Sequence, residues 1–293
     1  VAKQIKEFRG WQKAVSAAYK PYIDLVDVDG RLRCSYRLHG TATGRLSCAE
    51  PNLQQIPKSS NKPWNGKVKD CFIAEEGYVL INADFSQLEL RLATAYAGEE
   101  ELKTVFNDGR DIFTEMSKQL KMSRQDTKTL VYSMQYGAGE QRLINVFGVT
   151  RQEAKQIRQN YFITYPNFRR LNERCTAKVE QDGVIKIWSG RERHFEHRND
   201  AYKAMNSVIQ GGAADIVERI MVKCYEELEG PDCRILLQVH DSITFEVKES
   251  KVPHYMEKIR TTMEDVNAVT GDVNFDVRFA VEVDNWVPDE DEK

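Results

Sequence analysis

The sequence predicts an α+β fold in which a small antiparallel sheet is split along the chain by a large, mostly helical insertion. Two apolar runs of strand length, YVLINAD (Tyr78 to Asp84) and RILLQVHD (Arg234 to Asp241), each end on an aspartate. Between them, from about Glu100 to Ile220, the spacing of apolar residues is helical. After Asp241, Ile243, Phe245 and Val247 alternate with polar residues, so Ile235 to Val247 reads as a hairpin with His240 and Asp241 at its tip. If the two aspartate runs are neighbouring strands, two carboxylates meet at one sheet edge. There they can hold the divalent metals that drive phosphoryl transfer.

The first element is an amphipathic helix, marked by Ile5, Phe8, Trp11, Val15, Ala18, Tyr19 and Tyr22 and expected to weaken around Pro21. Its apolar face favours a partner. From Asp29 to Asn65 turn residues and short extended pieces dominate, including TATGRLS (Thr41 to Ser47) and PNLQQIP (Pro51 to Pro57). The first aspartate strand follows, and directly after Asp84 the period changes. Leu88, Leu92, Ala95 and Tyr96 mark a helix with a buried stripe. The helical stretch is interrupted at Asn107-Asp108-Gly109 and by a hairpin around Asp182-Gly183 and Ser189-Gly190. An insertion of this size is expected to form a subdomain facing the carboxylate edge and able to close over a substrate. Near the end, Phe275, Val277, Phe279, Val281 and Val283 alternate as a third strand with one buried face. The acidic tail Asp289 to Lys293 is expected to fray.

A chain of 293 residues with 41% apolar and 30% charged residues makes one large globular domain or two modest ones. No run approaches the roughly 18 apolar residues of a membrane span, and the polar start lacks the apolar core of a signal peptide. A cytosolic-type protein with reduced thiols is expected, because its six cysteines are scattered without a CxxC. The formal charge of −3 gives no global attraction to nucleic acid, so any such binding needs a local basic face.

Within the insertion, Arg124, Lys128, Tyr132 and Tyr136 recur every fourth residue, and on a helix each step turns only about 40° from the last. One face therefore carries two cations followed by two aromatic rings, suited to a polyphosphate and a stacked base with its sugar. Leu130 and Met134 fall on the opposite side and anchor the helix, and Gly137 and Gly139 stop it. His194 and His197 are close in sequence but follow a hairpin signal, and read as surface histidines.

These residues together give the chain a resemblance to the palm and fingers of a family A DNA polymerase, the bacterial polymerase I type shared by many phages. The matching stretches occur in the family's order: TATGRLS, PNLQQIP, ADFSQLELR (Ala83 to Arg91), Arg124 to Gly137, IQGGAAD (Ile209 to Asp215) and QVHD (Gln238 to Asp241). The resemblance implies a right-hand fold with the thumb largely missing. Residues 1–28 would be a thumb remnant, 29–94 the first part of the palm, 95–205 the fingers and 206–293 the second part of the palm. It implies template-directed addition of deoxynucleotides to a primer 3′-hydroxyl by a two-metal-ion mechanism, releasing pyrophosphate.

By the same resemblance, Asp84, Asp241 and the backbone carbonyl of Phe85 would hold two Mg²⁺ ions, for which Mn²⁺ can substitute. Arg124 and Lys128 would bind the triphosphate, with Lys128 also donating a proton to pyrophosphate. Tyr132 would pack on the nucleotide's sugar and base, Tyr136 would lie at the base-pair position, and Gln87 would contact the nucleotide. Glu89 would sit under the sugar C2′, bonded to Tyr136, and exclude a 2′-hydroxyl. Tyrosine at position 132 implies ready acceptance of dideoxynucleotides. Arg45, Asn52, Asn206, Gln210 and His240 would touch primer and template near the new pair, partly in the minor groove, with little sequence preference.

Three positions depart from the family pattern. Ser242 stands where an acidic residue usually follows the second aspartate, and activity is expected to survive this. Phe113 stands where a histidine often contacts the triphosphate, which puts nucleotide affinity in question. Glu192 interrupts the usually basic run Gly190 to Arg193 and should weaken template binding slightly. The partners implied are primer-template DNA, deoxynucleoside triphosphates and a chain supplying thumb or exonuclease functions, in a bacterial cytoplasm or phage-infected cell, with no membrane. The alternative reading is a non-catalytic DNA-binding subunit, or one half of a split polymerase.

Overall fold

The computed structural model describes residues 1–56, 68–271, 273, 275 and 277–285. Pro57, Asn65 and the acidic tail lie outside the described residues. In chain order the elements are α1 (Ala2–Ala14), a π-helical turn (Val15–Tyr19), α2 (Lys20–Asp24), β1 (Ser35–Arg37), β2 (Ser47–Ala49) and β3 (Tyr78–Phe85). Seven helices follow: α3 (Leu88–Ala97), α4 (Glu100–Asn107), α5 (Ile112–Leu120), α6 (Arg124–Gln135), α7 (Glu140–Phe147), α8 (Arg151–Thr164) and α9 (Pro166–Asp182). Then come β4 (Val184–Lys186), β5 (Glu192–His194), α10 (Ala204–Leu228), β6 (Cys233–Val239), β7 (Ser242–Lys248), α11 (Val252–Glu264) and β8 (Val281–Asn285). Helices and antiparallel strands are thus both present, as the sequence predicts. They form two compact units, one of Val1–Phe85, Val217–Met263 and Val281–Lys293, the other of Ser86–Ile216 and Glu264–Ala280.

The first unit is built on a four-stranded sheet in the order β6-β7-β3-β8, with every pairing antiparallel. The two aspartate runs are therefore not adjacent strands. The chain folds back at His240-Asp241, and β7 takes the place between β6 and β3 with Asp84 opposite Ser242. The composition of β7 explains its central position, since Ile243, Phe245 and Val247 on one face and Thr244 and Glu246 on the other are all buried. The buried Glu246 carboxylate needs partners. It accepts from the Glu75 N–H at 3.0 Å and pairs with Arg234 at 3.3 Å and Arg31 at 3.4 Å.

The expected third strand is shorter than its alternating sequence. Only Val281–Asn285 pairs with β3, because the β3 ladder ends at Phe85, opposite Val281, before the chain turns into α3. Phe275, Val277 and Phe279 are buried outside any strand, and the Phe275 ring meets Phe279 at 6.1 Å and Trp188 and Tyr96 at 5.8 Å. Their alternation reflects core packing, and only its last two residues serve the sheet.

The first helix also differs from expectation at Pro21. Helical structure continues through it to Asp24, and the distortion falls one turn earlier, in the π-helical Val15–Tyr19. A wider turn there accommodates the ring and the missing N–H of Pro21. Ala18 and Tyr22 join a core with Cys48, Leu53, Val68 and Leu237, whereas Ile5, Phe8, Trp11 and Val15 remain exposed.

The second unit is helical around one apolar core that includes Leu90, Phe106, Phe113, Met116, Leu130, Met134, Tyr161, Phe168 and Met205. Local signals start its helices. Asp111 caps α5, Ser123 caps α6, and Thr150 with Glu153 forms a capping box on α8. The start of α9 is capped from a distance, as Glu99 accepts from the N–H groups of Asn167 at 2.8 Å and Phe168 at 3.2 Å. Arg91 is buried, donating to the carbonyls of Ser86 at 2.7 Å and Arg278 at 2.6 Å with its guanidinium over Phe106. The predicted hairpin is β4-β5. It is tied to α10 by Arg191, which pairs with Asp215 at 2.7 Å, and by the Trp188 indole N–H, which donates to the Gly212 carbonyl at 2.9 Å. Trp188 lies so close that a Cβ on Gly212 would stand 3.0 Å from its ring and 2.9 Å from Leu92. Cys34, Cys48, Cys175, Cys224 and Cys233 are free thiols.

Candidate active site

At the end of β3 the Phe85 N–H donates to the Asp241 carbonyl at 3.1 Å. This makes Asp84 and Ser242 a non-hydrogen-bonded pair, the register in which facing Cα atoms come within about 4.5 Å. Asp84 and Asp241, 157 positions apart in the sequence, thus come to the same end of the sheet. The turn that places Asp241 is a two-residue hairpin loop whose first residue, His240, has φ of 56°. A positive φ at that position matches the twist of the flanking strands, and a non-glycine residue adopts it at a cost. Gln87, three residues beyond Asp84, is likewise left-handed at φ 53°.

Burial raises the pKa of Asp241 above its ordinary value, and its own backbone N–H and the charges of Arg45 and His240 offset this only in part. Ser242 brings no charge. Its buried hydroxyl donates to the Val239 carbonyl at 3.0 Å and is spent within the hairpin. The oxygens gathered at this end of the sheet are those of two carboxylates and the Phe85 carbonyl, all hard donors. Among the described residues no cluster of three or more His, Cys, Asp or Glu forms a closed cage. Such a set fits Mg²⁺, which accepts few protein carboxylates and keeps waters and substrate oxygens as its other ligands.

In the second unit α6 carries the cation and aromatic face. Leu130, Val131 and Met134 are buried, while Arg124, Lys128 and Tyr136 are exposed and Tyr132 is half-buried. Tyr136 ends the helix, with Gly137 behind it at φ 72°. The Arg124 guanidinium binds Asp111 through Nε at 3.1 Å and Nη2 at 2.7 Å, which holds the Asp111 carboxyl well below the usual range. Phe113 sits under this face. Its ring is 5.8 Å from the Arg124 guanidinium, the Lys128 ammonium and the Tyr132 ring. At the other end the Tyr136 hydroxyl donates to Glu89 Oε2 at 3.0 Å, and the Glu89 residue is 8% exposed.

The remaining residues divide between the units. Arg45, Asn52 and His240 belong to the first, with Asp84, Phe85 and Asp241. Gln87, Asn206 and Gln210 belong to the second, with Glu89 and the α6 residues. Asn52 starts a short helical turn by accepting from the Gln54 N–H at 3.0 Å. Asn206 has a buried Oδ1 without a hydrogen-bond partner, which leaves an acceptor unmet on α10. His194 lies 3.9 Å from Glu192, on the surface.

Sequence reasoning did not find the polar network that braces the hairpin tip. Tyr36 donates to the Gln238 carbonyl at 2.6 Å and accepts from its N–H at 2.9 Å. The Gln238 amide donates to the His240 carbonyl at 2.6 Å and accepts from Gln54 Nε2 at 3.2 Å. Nor did it find Asp111, whose only local signal is that of a helix cap.

A family profile described as DNA polymerase family A matches residues 1–287. The chain is 33% identical over 301 aligned positions to a thermostable DNA polymerase I of Thermus filiformis, which covers 96% of this chain and 36% of that protein. It is 32% identical over 277 positions to DNA polymerase I of Helicobacter pylori, covering 89% and 31%. It therefore spans about a third of the length of these relatives. Among solved structures it resembles the POL domain of Pol1 from M. smegmatis, in complex with DNA primer-template and dNTP. The TM-score is 0.82 at 29% identity, over 91% of this chain and 50% of that one.

Proposed function

The chain belongs to DNA polymerase family A, and on that premise we propose that it catalyses template-directed addition of deoxynucleotides to a primer 3′-hydroxyl, releasing pyrophosphate. The observation that carries this reading is the bond from the Phe85 N–H to the Asp241 carbonyl, which brings two carboxylates to one end of the sheet. Asp84, Asp241 and the Phe85 carbonyl hold two Mg²⁺ ions in this proposal. Bound Mg²⁺ acidifies the primer hydroxyl and neutralises charge on the triphosphate.

The other roles follow from what each side chain presents. Arg124 and Lys128 present cations on one exposed helix face, suited to triphosphate oxygens, and Lys128 would protonate departing pyrophosphate. Tyr132 and Tyr136 offer rings for the sugar and base. Glu89 is kept in place by Tyr136 and excludes a 2′-hydroxyl. Gln87 contacts the nucleotide. Arg45, Asn52, His240, Asn206 and Gln210 touch primer and template, with the unmet Asn206 acceptor available for a donor from DNA.

We assign residues 29–94 and 206–293 to the palm, 95–205 to the fingers and 1–28 to the connection with a thumb. The exposed Ile5, Phe8, Trp11 and Val15 support a further protein surface against the first helix. Among the described residues no helix is long and apolar enough to cross a membrane, and we place the activity in a bacterial cytoplasm or phage-infected cell.

The test is extension of a labelled primer on a template, with and without Mg²⁺. Asp84→Ala and Asp241→Ala should each lower the rate at least about a thousandfold, roughly 4 kcal/mol of barrier, with thermal unfolding still cooperative. Template binding with no extension at any Mg²⁺ or Mn²⁺ level would instead identify a non-catalytic DNA-binding subunit.

A further inference from the structure

A cleft of about 530 Å³ opens on the second unit, lined by Arg158, Phe162 and Ile163 of α8 and by Arg169, Asn172 and Glu173 of α9. None of the residues given a role above lines it. Beneath it the two helices are joined by an aromatic cluster in which Tyr161, Tyr165 and Phe168 are fully buried, with ring separations of 5.5 to 6.2 Å. The walls are therefore firm.

Two polar atoms of this lining are buried without a hydrogen-bond partner: the Arg158 Nε donor and the Asn172 Oδ1 acceptor. Buried polar groups are nearly always satisfied, so an unmet donor and an unmet acceptor in one cleft ask for a ligand that offers both. A peptide group does so. Beside them Ile163 is 77% exposed, an unusual place for a large apolar side chain at the rim of a polar cleft. The surrounding charge is one-sided. From Arg151 to Lys178 there are seven Lys or Arg and two Asp or Glu, in a chain whose formal charge is −3.

Nucleic acid fits this cleft poorly. A phosphate diester has no donor for Asn172 Oδ1. The face of Phe162 is already covered by the Arg158 guanidinium at 5.0 Å, so no base can stack there. We propose that the α8–α9 cleft docks an extended segment of a partner protein, one that carries an acidic side chain beside an aliphatic one. On docking, the Arg158 and Asn172 side chains turn so that Nε and Oδ1 meet the segment's backbone, its aliphatic side chain covers Ile163 and the edge of Phe162, and its carboxylate answers the surplus of cations.

The test is selection of a displayed library of random peptides on the full chain, followed by anisotropy measurements with the enriched peptides made synthetically. Enriched sequences should place Asp or Glu next to Leu, Ile or Val. Their affinity should fall about tenfold or more with Arg158→Gln, Asn172→Leu and Ile163→Asp, while primer extension stays unchanged. Ile163→Asp keeps the test decisive if the first two variants unfold, because that side chain already faces solvent. Enriched peptides that bind all folded variants equally would overturn the proposal. So would an enrichment without acidic residues, or a short oligodeoxythymidine probe whose binding shows the same dependence on Arg158, Asn172 and Ile163.

Discussion

Arg124 is held side-on by Asp111, whose two oxygens engage Nε and Nη2. The guanidinium edge carrying Nη1 is directed away from that carboxylate, so Asp111 can orient Arg124 without consuming the donors a triphosphate would use. Asp111→Ala should therefore raise KM for deoxynucleotides about three- to tenfold with kcat nearly unchanged, a loss on the order of 1 kcal/mol. Asp111→Asn keeps the bond to the Thr114 N–H at the start of α5 and should lose less. A fall in KM in either variant would mean that Asp111 competes with the nucleotide. Because the pKa of Asp111 is depressed, the pair's contribution is present at neutral pH and is lost only as pH falls through that lowered value. Both side chains are well exposed, so the pair contributes little to stability.

Glu89 is buried with the Tyr136 hydroxyl as a donor, so its carboxylate is fixed before any nucleotide arrives. Glu89→Ala should raise incorporation of ribonucleotides relative to deoxynucleotides by about tenfold or more, some 1.4 kcal/mol of discrimination. Tyr136→Phe removes the donor but leaves the carboxylate and should relax selection less. Competition assays with paired ribo- and deoxynucleotides distinguish the two, and unchanged selection in Glu89→Ala removes its assigned role.

The Tyr132 phenol projects from the same helix face as the two cations. In the proposed reading it stands in for a missing 3′-hydroxyl, and Tyr132→Phe should reduce dideoxynucleotide termination by about tenfold or more while normal extension persists. Equal termination by both forms would show that the hydroxyl does nothing for the sugar.

Burial raises the pKa of Asp241, so the folded chain holds that proton more tightly than the unfolded one. The group then favours folding below its unfolded pKa, and this contribution is lost as pH rises through the raised folded value. At neutral pH the ionised carboxylate opposes folding. Without divalent metal, Asp241→Asn should raise Tm at pH 7, and the gain should shrink in acid. Mg²⁺ at about ten times its Kd should stabilise the natural chain by about 1.4 kcal/mol, a few degrees in Tm, and the variant much less. Calorimetry with and without Mg²⁺ decides it, and a lower Tm for the metal-free variant would contradict the sign.

What could be read from the sequence was whatever repeats locally. The run ending at Asp84, the hairpin tip at His240-Asp241 and the four-residue spacing from Arg124 to Tyr136 all carry periods that a strand or helix enforces. Pairings across long loops carry no such period. Tyr36 and Gln238 are partners 202 residues apart, and nothing in either segment announces the other. The same limit hid the insertion of β7 between the aspartate strands, because the order of strands depends on which strand is buried on both faces. Alternation from Phe275 to Val283 misled for a related reason. Burial every second residue marks a packed face whether or not a ladder partner exists.

Gly212 bears on how this molecule can change. Alanine, the smallest possible step, already sets a methyl group 2.9 Å from Leu92 and 3.0 Å from the Trp188 ring, so both side chains must give way. A library randomised at that position alone should return glycine ahead of every larger residue. Larger residues become easier to reach in clones where Trp188 or Leu92 has shrunk as well, so these codons are coupled through sequence space. The second glycine of IQGGAAD is thereby explained by the space available on α10, with no appeal to chemistry.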